Sequence, residues 1–204
     1  MTKKVLLATN NADKLAEIRP MLAAAQMELV TLADLGLQLA PEETGTTFEE
    51  NANIKARETA ALLEQHGHSL IVLADDSGLV IDALGGAPGV DSALYLGADT
   101  PYSVRFEHIL QEMKNTPQHE RTARFVCVIA CHTPGRMGGE ILTTRGEFEG
   151  QIVHEVSGMG GMGYDPIFLV PKLGKTAAEL SQEEKNAISH RGTALREMMQ
   201  LLRA

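Results

Sequence analysis

Apolar residues in this chain fall into short continuous runs separated by wider helical stripes. Val5-Leu6-Leu7-Ala8 is one such run and predicts a buried strand over 4–9. Leu15, Ile18, Met21 and Leu22 then share one stripe, which predicts a helix over 12–25, with Pro20 placed to kink it. Residues 27–32 read as a second strand. After the acidic loop Pro41-Glu42-Glu43-Thr44-Gly45, Thr46 with Glu49, or Thr47 with Glu50, fits a capping box. A long helix follows to about His66, and Gly67 ends it. Leu70-Ile71-Val72-Leu73 predicts a strand over 69–74 that delivers Asp75 and Asp76 where it runs out.

Residues 102–114 carry another amphipathic pattern. Residues 124–132 and 140–148 read as an antiparallel pair of strands, joined through Pro134-Gly135-Arg136-Met137-Gly138-Gly139. A glycine-rich loop over 158–163 leads to Tyr164-Asp165-Pro166 and the apolar run Ile167-Phe168-Leu169-Val170. Ser181 with Glu184 fits a second capping box, which opens one final helix toward Leu202. Helices and strands alternate early and strands cluster in the middle, so the expected class is α/β with a mixed sheet. There is no internal repeat and no clear linker, and 204 residues suit a single domain over 1–204, with room for two lobes.

Composition excludes several classes. With 44% hydrophobic and 22% charged residues the chain is an ordinary globular one, not a disordered one. A net charge of -9 argues against a nucleic-acid polymer as partner, since that needs a basic surface. It leaves room for a small anion in a local basic pocket. No run reaches the length of a membrane span. Met1-Thr2-Lys3-Lys4 leads into a short apolar run with no cleavage site behind it, unlike a signal peptide. Cys127 and Cys131 are too far apart on a strand for a disulfide and form no CxxC pair. Two buried thiols and a cytoplasmic location are the expectation.

Five segments hold candidate chemistry. Asp75-Asp76-Ser77-Gly78 puts two carboxylates side by side, which calls for a metal ion, a Lys or Arg partner, or a catalytic role. The same residues also suit a plain strand-end turn. Thr9-Asn10-Asn11-Ala12-Asp13-Lys14 lies between a strand and a helix, a natural anion site, though it is not a Walker A loop. Equally, Asn10 or Asn11 caps the helix and Lys14 is solvated. Asn51 and Lys55 share a helix face, so Lys55 meets phosphate if that face lines a cleft and water if it does not. Glu43 with one aspartate suits Mg2+, and a remaining carboxylate can orient or deprotonate water.

The loop over 158–166 allows close backbone approach to a ligand, or is a mobile surface loop. Lys185 and Ser189 share a face of the last helix, while His190 and Arg191 project elsewhere unless Gly192 loosens it. A His-Arg pair can donate to purine carbonyl oxygens; the alternative is a solvated charged face.

The ordered set resembles the inosine triphosphate pyrophosphatase family, bacterial XTP/dITP diphosphatase type, nearly end to end. The matching text is Thr9-x-Asn11-x-x-Lys14; Glu42-Glu43-Thr44-Gly45 with Phe48, Asn51-Ala52 and Lys55-Ala56-Arg57; Ala74-Asp75-Asp76-Ser77-Gly78-Leu79; Leu84-Gly85-Gly86-Ala87-Pro88-Gly89; Gly163-Tyr164-Asp165-Pro166; and Ser189-His190-Arg191-Gly192.

The resemblance implies an elongated mixed β-sheet flanked by helices, two lobes with a central substrate cleft, and a homodimer. It implies Mg2+-dependent hydrolysis of ITP, dITP and XTP to monophosphate and pyrophosphate, cleansing the nucleotide pool. It assigns the phosphate loop to Thr9, Asn10, Asn11, Ala12, Asp13 and Lys14, and phosphate-side lysines to Lys55 and Lys185. Asp76 becomes general base and metal ligand, Glu43 a second ligand, and Ser77 a substrate contact. Met162, Gly163, Tyr164 and Asp165 match the base-recognition loop, and His190 and Arg191 the contact to the base edge. Asp75 is left to tune the pKa of Asp76.

Three positions depart from the family. Met162 stands where an aromatic ring commonly stacks on the purine, Asp13 puts a carboxylate in the phosphate loop, and Phe148 replaces a common Trp. Two rival readings differ in class. An aspartyl phosphatase needs a nucleophilic Asp two positions before a second Asp, whereas these acids are adjacent. A nucleotide sensor without catalysis would keep the loops and lose the base.

Overall fold

The computed structural model describes residues 3–135 and 140–203. Met1 and Thr2, and residues 136–139 of the predicted strand connection, lie outside the described residues. Among the described residues seven strands form one mixed sheet: β1 (Lys3–Leu7), β2 (Met27–Val30), β3 (Ile71–Ile81), β4 (Thr122–His132), β5 (Ile141–Ile152), β6 (Phe168–Val170) and β7 (Lys175–Thr176). Their order is β2-β1-β3-β4-β5-β6-β7. β1 runs parallel to both β2 and β3, with Val5 opposite Leu29 on one side and Ile71 on the other. β6 is antiparallel to β5 and β7. The expected class, a mixed sheet flanked by helices, is the observed one.

The helices are α1 (Ala12–Ala24), α2 (Phe48–Gln65), α3 (Tyr102–Glu112), α4 (Gln182–Ile188) and α5 (His190–Leu201). Their starts are written locally. Asn11 caps α1 through its side chain, Thr47 and Glu50 close a reciprocal capping box on α2, and Ser181 and Glu184 close another on α4. Each satisfies first-turn N–H groups that have no partner inside the helix. α1 continues through Pro20.

The chain divides into two compact units. The first comprises residues 1–76, 127–146 and 191–204, the second residues 77–126 and 147–190. β3, β4 and β5 each pass from one unit into the other. Each unit has its own apolar core. In the first, Val5, Leu7, Ile18, Leu22, Leu73 and Met198 belong to one buried cluster. In the second, Leu79, Ile81, Ile109, Phe125, Phe168 and Tyr164 belong to another.

Two expectations are corrected. β3 does not end at the acidic pair but runs on to Ile81. Asp-Ser-Gly reads as a turn, yet Leu79 and Ile81 beyond it are fully buried in the second core, and their burial holds the chain extended. The last helix is two helices, parted at Ser189, whose backbone is extended at φ -71° and ψ 160°. Serine favours the position just before a helix over its interior, so the break falls at Ser189 and not at Gly192.

Candidate active site

The site begins with the alternation of β3. Successive side chains point to opposite faces of a strand, so Asp75 follows Ile71 and Leu73, and Asp76 follows Val72 and Ala74. Both acids are buried. On its face Asp75 meets two cations from distant parts of the chain. Lys14, in the first turn of α1, forms an ion pair with Asp75 Oδ1, and Arg191 Nε donates to Oδ2 at 3.2 Å. The Cys127 thiol also donates to Oδ2 at 3.1 Å. Arg191 is itself fixed by Glu17, a buried acid on α1. Burial works to raise the Asp75 pKa, but Lys14 and Arg191 outweigh it and hold the carboxyl far below the usual range.

Asp76 has a different environment. Lys55 Nζ, on α2, donates to Asp76 Oδ1 at 2.7 Å and to Glu43 Oε2 at 3.0 Å. Among the described residues Asp76 Oδ2 is buried with no hydrogen-bond partner. Burial raises the Asp76 pKa to about 7 against the pull of Lys55, and the nearby Glu43 carboxyl adds to the rise. Partial burial works to raise Glu43 as well, but Lys55 prevails and its pKa falls below the usual value. Burial works against the Lys55 charge, and Asp76 prevails, so its pKa rises. The expectation that Asp75 tunes Asp76 is replaced: the two point to opposite faces, and burial and Glu43 raise Asp76.

Local structure places Glu43. The N–H of Gly45 donates to Asn51 Oδ1 at 2.8 Å, which pins the acidic loop against α2 one turn before Lys55. A Cβ at Gly45 would stand 2.6 Å from that oxygen, so glycine is required for the approach. Asn51 thus acts on the loop, a role its helical spacing with Lys55 does not reveal.

The loop over 9–14 is ordered by its own side chains. Thr9 Oγ1 accepts from the Asn11 N–H at 3.1 Å, and Asn11 Oδ1 accepts from the N–H groups of Asp13 and Lys14. Asn10 Nδ2 donates to the Leu39 carbonyl at 3.4 Å. Ala12 and Asp13 are exposed, and Ser77 is half-buried on β3.

In the second unit the loop over 161–165 is tied by Asp165. Its Oδ2 accepts from the Met162 N–H at 2.6 Å and from Lys185 Nζ at 2.5 Å. Gly161 has φ +77°, and a Cβ there would collide with the Asp165 carboxylate. Lys185 is buried and forms an ion pair with Asp165. His190 is buried, with its ring stacked on Phe125 at a centroid distance of 5.0 Å. The Arg191 guanidinium is taken up by Glu17 and Asp75 in the first unit. All three expected phosphate lysines, Lys14, Lys55 and Lys185, are paired with carboxylates.

Sequence reading missed Glu17 and Cys127. Glu17 had a faint signal, lying three positions after Lys14 beside the buried stripe of α1. Cys127 had none, because its partner lies 52 positions away.

A sequence profile of the Ham1 family matches residues 5–201. The chain is 48% identical to a dITP/XTP pyrophosphatase of Exiguobacterium sibiricum, over 96% of this chain and 94% of that one. It is 46% identical to a dITP/XTP pyrophosphatase of Escherichia coli, over 98% of each. The solved structure of a HAM1 protein from Coxiella burnetii superposes with a TM-score of 0.84 at 42% identity, covering 98% of both chains. With the match running through both units and both loops, the chain belongs to the Ham1 family.

Proposed function

We propose that this protein hydrolyses ITP, dITP and XTP to the monophosphate and pyrophosphate, with Mg2+ as cofactor. One observation carries the reading. In a chain of the Ham1 family, the buried Asp76 carboxylate keeps one oxygen on Lys55 and the other, among the described residues, without a hydrogen-bond partner, beside Glu43. A buried carboxylate oxygen with no donor is costly, and a cation offsets that cost.

The donor set suits Mg2+, which takes one or two carboxylates and completes its shell with water and substrate phosphates. Glu43 and Asp76 would hold it. Among the described residues no group of three or more His, Cys, Asp and Glu side chains is placed to hold a metal ion. When bound, the ion supplies positive charge that offsets the charge gathering on pyrophosphate.

The residues of the chain do the rest. Asp76 takes the proton from water attacking the α-phosphorus. Lys55 orients that carboxylate and brings positive charge to the phosphates. The 9–14 segment offers the N-terminal dipole of α1 and the side chains of Thr9 and Asn10 to phosphate. Ser77 contacts the substrate, and the 162–165 loop with His190 receives the base, beside Arg191, whose guanidinium is held by Asp75 and Glu17. Lys185 acts by holding Asp165. Donors matched to a keto oxygen at position 6 leave the adenine amino group unpaired, which discriminates strongly. Guanine also carries a 6-keto group, so discrimination against GTP falls to its 2-amino group.

Among the described residues no helix is long and apolar enough to cross a membrane. A homodimer acting on the cytoplasmic nucleotide pool completes the proposal. The test is product analysis across a panel of nucleoside triphosphates, with and without Mg2+. Mg2+-dependent pyrophosphate from ITP, dITP and XTP is the expected result. Inorganic phosphate as product would replace the reading with a phosphatase, and tight binding without turnover with a sensor.

A further inference from the structure

We propose that Arg105 is a positioning residue for base recognition, acting through Ser92 and Tyr164 on the loop over 162–165. The inference rests on the reading of that loop as the segment that receives the base.

Arg105 lies on α3 and is 2% exposed. A buried arginine is ordinarily met by a carboxylate. Here its hydrogen bonds go to neutral carbonyls: Nη1 donates to Ser92 O at 3.2 Å and Nη2 to Gly97 O at 3.0 Å. The Tyr102 ring centroid stands 4.8 Å from the guanidinium carbon, and among the described residues Nε is buried with no hydrogen-bond partner. A charge kept under these terms is explained by its shape. The planar fork reaches two carbonyls and an aromatic face at once, which a lysine cannot do.

Ser92 gives that fork a destination. Its carbonyl oxygen accepts from Arg105 and also from the Tyr164 hydroxyl, at 2.8 Å. Its own hydroxyl accepts from the Leu79 N–H of β3 at 2.8 Å and donates to Gly89 O at 2.6 Å. Ser92 is therefore fixed to the strand by its side chain and presents a fixed carbonyl to Tyr164.

The Tyr164 ring is confined as well. It meets Tyr102 edge-on at a centroid distance of 5.2 Å and Phe106 at 6.2 Å. Tyr102 also backs the loop itself, because a Cβ built on Gly163 would lie 3.6 Å from the Tyr102 hydroxyl. The ring that receives the guanidinium thus supports the peptide next to Tyr164. Tyr164 stands between Gly163 and Asp165, so holding its hydroxyl and ring sets the backbone on which the base would rest. The Asp165 tie to Met162 and Lys185 fixes one side of this loop, and the Arg105 cluster fixes the other.

The test uses Tyr164→Phe and Arg105→Met in the full-length protein. Loss of one neutral hydrogen bond in Tyr164→Phe raises the KM for ITP about fivefold, and Arg105→Met raises it about tenfold, with kcat within about twofold. The advantage of ITP over ATP in kcat/KM shrinks by the same factors. A purely structural role would lower the thermal midpoint and the active fraction but leave KM and the ITP-to-ATP ratio of the folded enzyme unchanged, which would overturn the proposal. Met162→Ala in the same assay separates the two possible failures. If it raises KM while the other variants do not, the anchor is wrong and the base loop stands. If none of the three shifts KM or the ratio, the base-loop reading falls and takes the anchor with it. Should Arg105→Met fail to fold, Tyr164→Phe decides alone.

Discussion

On one face of β3, Asp75 is buried against Lys14, Arg191 and the Cys127 thiol; on the other, Asp76 meets Lys55 and the half-exposed Glu43. The two acids are neighbours in sequence and almost equally buried. Their pKa values nevertheless move in opposite directions, far down for Asp75 and up to about 7 for Asp76. Burial penalises the charge of both. The difference lies in how many cations answer it. Asp75 has two, one of them an arginine locked in place by Glu17. Asp76 has Lys55 in contact, shared with a second carboxylate, and Lys14 acts on it only from a distance. A fully answered charge is a structural tie, while a partly answered one retains capacity for a proton or a metal ion. On the proposed function, the strand separates a fixing role at Asp75 from a chemical role at Asp76.

The largest test of this contrast is Asp76→Asn. Turnover of ITP should fall about a thousandfold, within the range for removing a general base, while the Kd for ITP stays within a few-fold. Pyrophosphate release and equilibrium titration measure the two, and near-normal turnover would dissolve the contrast.

Asp75→Asn should act through stability. It leaves Lys14 and Arg191 buried beside a neutral amide, at a cost of about 3–5 kcal/mol in urea unfolding. Turnover per folded molecule should stay within about tenfold of the parent, since the proposed base lies on the other face. A loss as deep as that of Asp76→Asn would show that the two faces are not separate.

The pH dependence of metal-free protein sharpens the point. Asp76 has a folded pKa of about 7, above its unfolded value of about 4. The folded state thus holds its proton more tightly. Stability from this group is fully present below about pH 4 and is lost as pH rises toward and through 7. For Asp75 the sign reverses, because its folded pKa is depressed. Its contribution is present above about pH 4 and is lost as pH falls below that. The parent should therefore lose about 2–3 kcal/mol between pH 4.5 and pH 7.5 through Asp76, and Asp76→Asn should lack that loss. Urea midpoints at several pH values check this, and parallel profiles would refute it.

The smallest expected effect leaves both faces untouched. Met162→Phe restores a ring at the base loop and should lower the KM for ITP about threefold without changing kcat, as one added stacking contact would. Equal KM values in the two proteins would remove Met162 from base stacking.

How far the site could be read from sequence depended on distance along the chain. The caps at Asn11, Thr47 and Ser181 were readable because a cap and its partners lie within a few residues. The acidic pair drew attention because two adjacent carboxylates beside an apolar run demand an explanation. Its geometry was misjudged, since Asp, Ser and Gly are turn residues and nothing local says that Leu79 and Ile81 enter a second core. β7, with two residues, is too short to leave a periodic signal. The split of the last helix at Ser189 hid behind a continuous helical pattern.

Periodicity and capping follow from the backbone and its nearest neighbours, so the amino-acid order already specified which segments form helices and strands and which residues carry charge. The pairing of those charges did not follow from it. Arg191 reaches Asp75 across 116 positions and Glu17 across 174, and Arg105 finds carbonyls instead of an acid. Which cation answers which carboxylate depends on the elements packed against each face of β3. That packing is set by burial of two separate apolar cores, and it makes Asp75 a tie and Asp76 a candidate base.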